Sequence, residues 1–311
     1  MILLGFLSYP FFLFYGYQPV SIGSANLPLA AIISGLVMIT WYWFAWLYFK
    51  LEERDSASVA HMMFDAALLV LLISSLGAWG VSIFQFTTID SPQVSSAMTH
   101  FFLSVFTEGW TILGVLGVIW AKAGSVEFKP GTGWFWMPIL FGSMMIFPFS
   151  LTQSLITPAM LYTAYAGLIL IILSFSLNLY LLIKQKALKG FVGHTVFFLA
   201  ALIIFFKLAA VLPNDIWPGE HSLRVLYLHV LLLGFFSLAI IELIHQNTPQ
   251  WMKKSFTGSA LLVILSLIMV SGYWPSVLVP PNIFFWLMVV AGLPVVAAVL
   301  LWIDTFRNQY H

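Results

Sequence analysis

Residues 157–183 read TPAMLYTAYAGLILIILSFSLNLYLLI, 27 positions without one charged side chain. Lipid offers backbone groups no hydrogen-bond partners, so an apolar run of about 20 residues crosses a bilayer as a helix. A strand of a membrane β-barrel would need alternation, and this run has none. Working outward, nine further stretches read the same way: 2–17, 27–49, 59–88, 96–121, 133–151, 190–212, 224–245, 255–273 and 281–303. The first is the shortest and carries Pro10. The expected fold is all-α, a polytopic transmembrane helix bundle of ten spans forming a single domain over residues 1–311.

Composition agrees with that reading. The chain has 311 residues, of which 12 are Lys or Arg and 11 are Asp or Glu. That is 7% charged, where a soluble domain has about 25%. Hydrophobic residues make up 61% and mean hydropathy is +1.01. No water-soluble globule of this size hides that much apolar surface, which excludes a soluble enzyme, a nucleic-acid binder and a disordered chain. Cys is absent, so there is no disulfide, thiolate metal site or Cys nucleophile. Met1 is followed by apolar residues with no basic region and no A-x-A-like site, so the start reads as a first span and not as a signal peptide.

Basic residues give an orientation. Lys50 and Arg54 follow the second span, Lys122 and Lys129 the fourth, and Lys184, Lys186 and Lys189 the sixth. Lys253 and Lys254 follow the eighth, and Arg307 the tenth. Loops after odd-numbered spans carry none, apart from Arg224 at the edge of one of them. The positive-inside rule then places both termini and all the basic loops in the cytoplasm. The expected location is a bacterial cytoplasmic (inner) membrane, crossed many times, with the lipid bilayer as the first partner.

Ionisable residues at bilayer depth are costly, about 2.5–3.5 kcal/mol each on insertion scales, so they are functional candidates. With that orientation they form two layers. The outer layer holds His100, His229 and Lys207, with Asp215, Glu220, His221 and Arg224 in or beside a loop, and Glu108 near the midplane below them. The inner layer holds His61, Asp65, His194, Glu242 and His245, all close to cytoplasmic helix ends. There a side chain can snorkel or be hydrated, and His61 and Asp65, four apart, can pair on one helix face. The functional alternative for Asp65 and Glu242 is a proton route from the inside.

The outer layer is the more informative. Span four reads His100-Phe-Phe-Leu-Ser104-Val-Phe-Thr-Glu108-Gly109-Trp110, and His100, Ser104 and Glu108 recur at four-residue steps as one polar stripe. Gly109 permits close approach of another helix. Span eight brings His229 to a depth similar to that of His100. Two facing imidazoles are an axial haem site, which makes His229 and His100 the cofactor-binding and metal-ligand candidates. The plain reading is that each imidazole is satisfied by a helix carbonyl or a hydroxyl. Glu108 is suited to hydrogen-bonding a neighbouring helix, binding a cation or carrying a proton. Lys207 can snorkel outward or pair with an anion, so Glu108, Lys207, Asp65 and Glu242 are the candidates for a proton or ion pathway.

Two segments carry a resemblance. Ser104-x-x-x-Glu108-Gly109-Trp110 looks like the His-x-x-x-Glu-Gly helix of nitric oxide reductase catalytic subunits, members of the haem-copper oxidase superfamily. Tyr227-Leu-His229-(four residues)-Gly234 looks like the His-Gly-His-(four residues)-Gly helix of the same superfamily, and in both the second motif lies four spans after the first. The resemblance covers two helices. It places a metal-binding His on Ser104 and the ligand of the catalytic haem on Tyr227, so it implies a degenerate member without a binuclear centre. His229 matches the ligand of a low-spin haem. The implied function is an integral membrane protein holding one haem b, for electron transfer or response to nitric oxide or oxygen, with a respiratory or redox membrane partner. The alternative is a proton-coupled transporter or channel that uses Glu108, although the spans read as mostly continuous and show no inverted repeat. No H-E-x-x-H, G-x-S-x-G, His-box or phosphate-loop motif points to an enzyme class.

Overall fold

A computed structural model describes residues 14, 20–22, 25–27, 29–51, 58–86, 92–124, 132–151, 155–209, 221–244 and 248–309. A three-residue antiparallel hairpin, β1 (Val20–Ile22) and β2 (Ala25–Leu27), pairs Ser21 with Asn26 and lies in the expected loop 18–24 and just after it. Everything else regular among the described residues is helical. The helices are α1 (Leu29–Leu51), α2 (Val59–Phe86), α3 (Pro92–Ser104), α4 (Ile112–Ala123), α5 (Met137–Met145) and α6 (Pro158–Lys184). They continue with α7 (Gly190–Ala209), α8 (His221–Leu228), α9 (Ser237–Ile244), α10 (Gln250–Val270) and α11 (Ile283–Gln309).

Among the described residues, seven helical stretches are long and apolar enough to cross a membrane: Val59–Val81, Gln93–Ala123, Pro158–Lys184, Gly190–Ala209, Ser222–Leu243, Gln250–Val270 and Ile283–Thr305. They fall on expected spans three, four and six to ten. The 23-residue α1 occupies the second, free of charge until Lys50. The first, at 2–17, lies outside the described residues except for Phe14. The fifth is not one straight span. Helix α5 ends at Met145 and gives way to a 3-10 turn, Phe147–Ser150, because Pro148 lacks the N–H that would continue the ladder.

Local chemistry sets several ends. Thr157 caps α6 by accepting a hydrogen bond from the Met160 amide at 3.3 Å, and Pro158 fills the first helical position, where its missing N–H costs nothing. Asn178, fully buried on α6, ties three elements together. Its Nδ2 donates to the carbonyls of Phe135 and Ser174, and its Oδ1 accepts from Trp120 Nε1 on α4 at 2.8 Å. Replacing Asn178 with Leu strands the Trp120 donor in an apolar core, while the Phe135 carbonyl keeps the Ser174 hydroxyl as a partner. The expected loss is about 2–4 kcal/mol, read as a lowered unfolding midpoint in detergent.

Two spans, each continuous, are not α-helical throughout. Val105–Thr111 and His229–Phe236 are π-helical, with wider turns. Neither contains a proline, so the sequence carries no breaker to announce them. A hydroxyl at the end of each reaches five residues back: Thr111 Oγ1, in the last residue of the first, donates to the Phe106 carbonyl at 3.4 Å, and Ser237 Oγ, just after the second, to the Leu232 carbonyl at 2.8 Å. The two wide segments pack on one another, with the rings of Trp110 and Phe236 5.7 Å apart. Turns of this kind recur at functional sites.

Candidate functional site

The polar stripe on α3 faces a cavity of about 120 Å³. Its wall holds His100, Ser104, Thr107 and Glu108 from α3 and its wide turn, Lys207 from α7, and Arg224 and Tyr227 from α8. Steps of three and four residues from 100 to 108 keep these positions on one helix face, as the sequence indicates. The wall is closed by apolar groups that include Ile146, Phe149 and Leu168.

At the deep end of this cavity lies a buried triad. Lys207 Nζ pairs with Glu108 Oε2 at 2.5 Å, and Tyr227 Oη donates to Glu108 Oε1 at 2.6 Å. Lys207 Nζ also stands 5.3 Å from the centre of the Tyr227 ring. Glu108, Lys207 and Tyr227 are 7%, 4% and 5% exposed. Lys207 therefore does not snorkel; its ammonium turns inward and neutralises Glu108. Removing two ions from water is offset here by a close contact and by a further hydrogen bond to the second carboxylate oxygen. Gly109 makes room for the arrangement: a Cβ there would run into Val70 and lie 2.6 Å from Ser143 Oγ, so α2 and α5 both press against this turn.

His229 is not on that wall. Arg224, Tyr227 and Leu228 share one face of span eight, whereas His229 is two residues beyond Tyr227 and points to a different side. Its Nδ1 lies 2.8 Å from the Val225 carbonyl, to which it donates, which is the plain reading of an intramembrane imidazole. The structure thus brings His100, Glu108 and Lys207 together and leaves His229 apart. His100 and His229 do not line this cavity together, and its volume is about 120 Å³. No group of three or more His, Asp and Glu positioned for a metal occurs among the described residues.

The inner layer is dispersed. Glu242 Oε2 meets Lys253 Nζ at 3.4 Å, and Lys253 is only 2% exposed. Lys253 is thus drawn into the bundle by a carboxylate, and is not a solvated charge of a cytoplasmic loop. Asp65 Oδ1 is buried without a hydrogen-bond partner among the described residues, so the expected pairing with His61 is not made at that atom. His194 is exposed. His245, Asp215 and Glu220 lie outside the described residues.

Tyr227 was legible only as the position where the resemblance would place a haem ligand, and nothing in its neighbours marks it as a partner of Glu108, which is 119 residues away. Long apolar helices around a buried, charged and hydrogen-bonded centre make this chain a polytopic integral membrane protein in contact with the lipid bilayer. Compared with known proteins, it matches no protein-family model, no curated protein and no solved structure.

Proposed function

We propose that the protein is a proton-coupled membrane transporter or channel whose protonatable site is Glu108, working in a bacterial cytoplasmic membrane with its basic loops inside. The observation that carries this is the Glu108–Lys207–Tyr227 triad, buried at a wide helical turn and bordering a polar cavity. A carboxylate at membrane depth is a proton-relay element by its chemistry. Taking a proton removes its charge and breaks the ion pair to Lys207, so protonation is coupled to local rearrangement. His100 and Arg224 line the cavity between the triad and the helix ends assigned to the outer side, and Arg224 is the third residue of the span that starts at Ser222. In proteoliposomes loaded with a pH-sensitive dye, an imposed pH gradient in sodium chloride should drive proton flux that Glu108→Gln abolishes. Flux unchanged in that variant would refute the reading.

A second reading keeps the resemblance to haem-copper oxidases, with one haem b ligated by His229 and a redox partner in the membrane. One observation favours it: an imidazole that donates Nδ1–H to a carbonyl, as His229 does to Val225, presents Nε2 in the tautomer used for metal ligation. Ser104 and Tyr227, the positions matched to metal ligands, also share the cavity wall with Glu108. Protein expressed with haem supplied is expected to show no b-type band in a reduced-minus-oxidised spectrum. A band that disappears in His229→Ala would replace the proton reading with this one.

A further inference from the structure

Among the described residues, the triad leaves Lys207 with more donors than protein partners. A lysine ammonium has three N–H groups, and Glu108 Oε2 takes one. The side chain is buried, and the space it borders is the polar cavity. Around that space stand Arg224 and His100, with hydroxyl groups on Ser104, Thr107 and Ser150. The volume of about 120 Å³ admits a small ion with a few waters and excludes an organic ligand of ordinary size.

We propose that this cavity binds a small monovalent anion, of the size of chloride, nitrate or formate, against Lys207, together with a proton on Glu108. The inference rests on the reading of Glu108 as the proton site and names what moves with the proton. While Glu108 is ionised, its carboxylate cancels the Lys207 charge at contact distance and repels an anion. When Glu108 takes a proton, the ammonium charge is released into the cavity and the anion replaces the carboxylate as its counter-ion. Proton and anion then favour each other by the same factor, as linkage requires, and enter as a neutral pair. Among the described residues, the charged and titratable groups around Glu108 are His100 from α3, Lys207 from α7, and Arg224 and Tyr227 from α8; beside it, α2 and α5 bring Val70 and Ser143 against Gly109.

The test uses the full chain purified in detergent, with sodium chloride, nitrate or formate titrated against gluconate at constant ionic strength while the unfolding temperature is read. The expected result is a saturable rise whose half-saturating concentration is about tenfold lower at the acid end of the protein's stable pH range than at its alkaline end, within the usual range of coupling. Glu108→Gln should show the tight value at both pH values. Glu108→Gln combined with Lys207→Met, a neutral pair of similar volume, should show no saturable rise. An unsaturable salt effect equal in all three proteins overturns the site. A pH dependence that survives in Glu108→Gln overturns the coupling and assigns it to His100. Proton flux that depends on Glu108 without any saturable anion response overturns this inference alone, and saturable anion binding without such flux overturns the transport reading alone.

Discussion

Lys207→Met is expected to lower stability by about 3–5 kcal/mol, and adding Glu108→Gln to it should restore most of that loss. The single change leaves a carboxylate buried with one phenolic donor and no counter-ion, in a site that is 7% exposed. An uncompensated buried charge is the costly outcome, whereas a neutral pair of the same shape is nearly neutral. Gln keeps an oxygen for Tyr227 to donate to, and Met fills the volume of the lysine stem. The four-corner cycle, measured by unfolding in mixed micelles with circular dichroism as the readout, should therefore give a coupling of at least about 3 kcal/mol. A double variant no more stable than Lys207→Met would show that the two charges do not depend on each other.

Gly142→Val should be nearly as damaging and for an unrelated reason. A Cβ at Gly142 would stand 2.6 Å from the carbonyl oxygen of Gly167 and 2.7 Å from Ile171 Cγ1. The obstruction is reciprocal, because a Cβ at Gly167 would lie 2.6 Å from Met145 Cβ and 2.9 Å from the Gly142 carbonyl. Two backbones touch here, so no rotamer change relieves the clash and α5 must move off α6. Such a crossing of small residues is how membrane helices gain contact when lipid competes for every apolar surface. The expected cost is about 3 kcal/mol, and more for a larger side chain, seen as loss of monodisperse protein on gel filtration. Normal yield and an unchanged unfolding midpoint would mean that α5 has room to shift.

The helices were legible because lipid enforces a strict rule on the backbone: long uncharged runs have one stable form, and the reading of 157–183 carries over to most of the chain. The stripe His100, Ser104, Glu108 was legible for the same reason, since a helix repeats every 3.6 residues and the three positions line one cavity. Which helices meet was not legible. Lys207 looked free to reach water because its own span ends within a few residues, yet α7 is packed so that the ammonium finds Glu108, 99 residues earlier. Similar depth paired His100 with His229, but depth says nothing of rotation about the helix axis, and two residues' difference in phase sends Tyr227 into the cavity and His229 elsewhere. Lys253 read as a cytoplasmic marker, and the carboxylate that buries it lies in another helix.

The wide turn at 105–111 also governs what lies beyond it. A π turn accommodates one residue more than an α turn of the same height, and one residue is a rotation of roughly 100°. The turn is thus a phase shifter between two halves of a single span. On one side the sequence is timed to show polar groups to the cavity, and on the other to bury Ile112, Leu116 and Ile119 in the core. Deleting any one residue from that stretch would restore regular helix and alter hardly any composition. It would leave α4 facing as it does, because the residue lost is the one that the wider turn absorbs, and it would remove the wide turn that carries Glu108. The extra residue thus shapes the site without disturbing the packing beyond it.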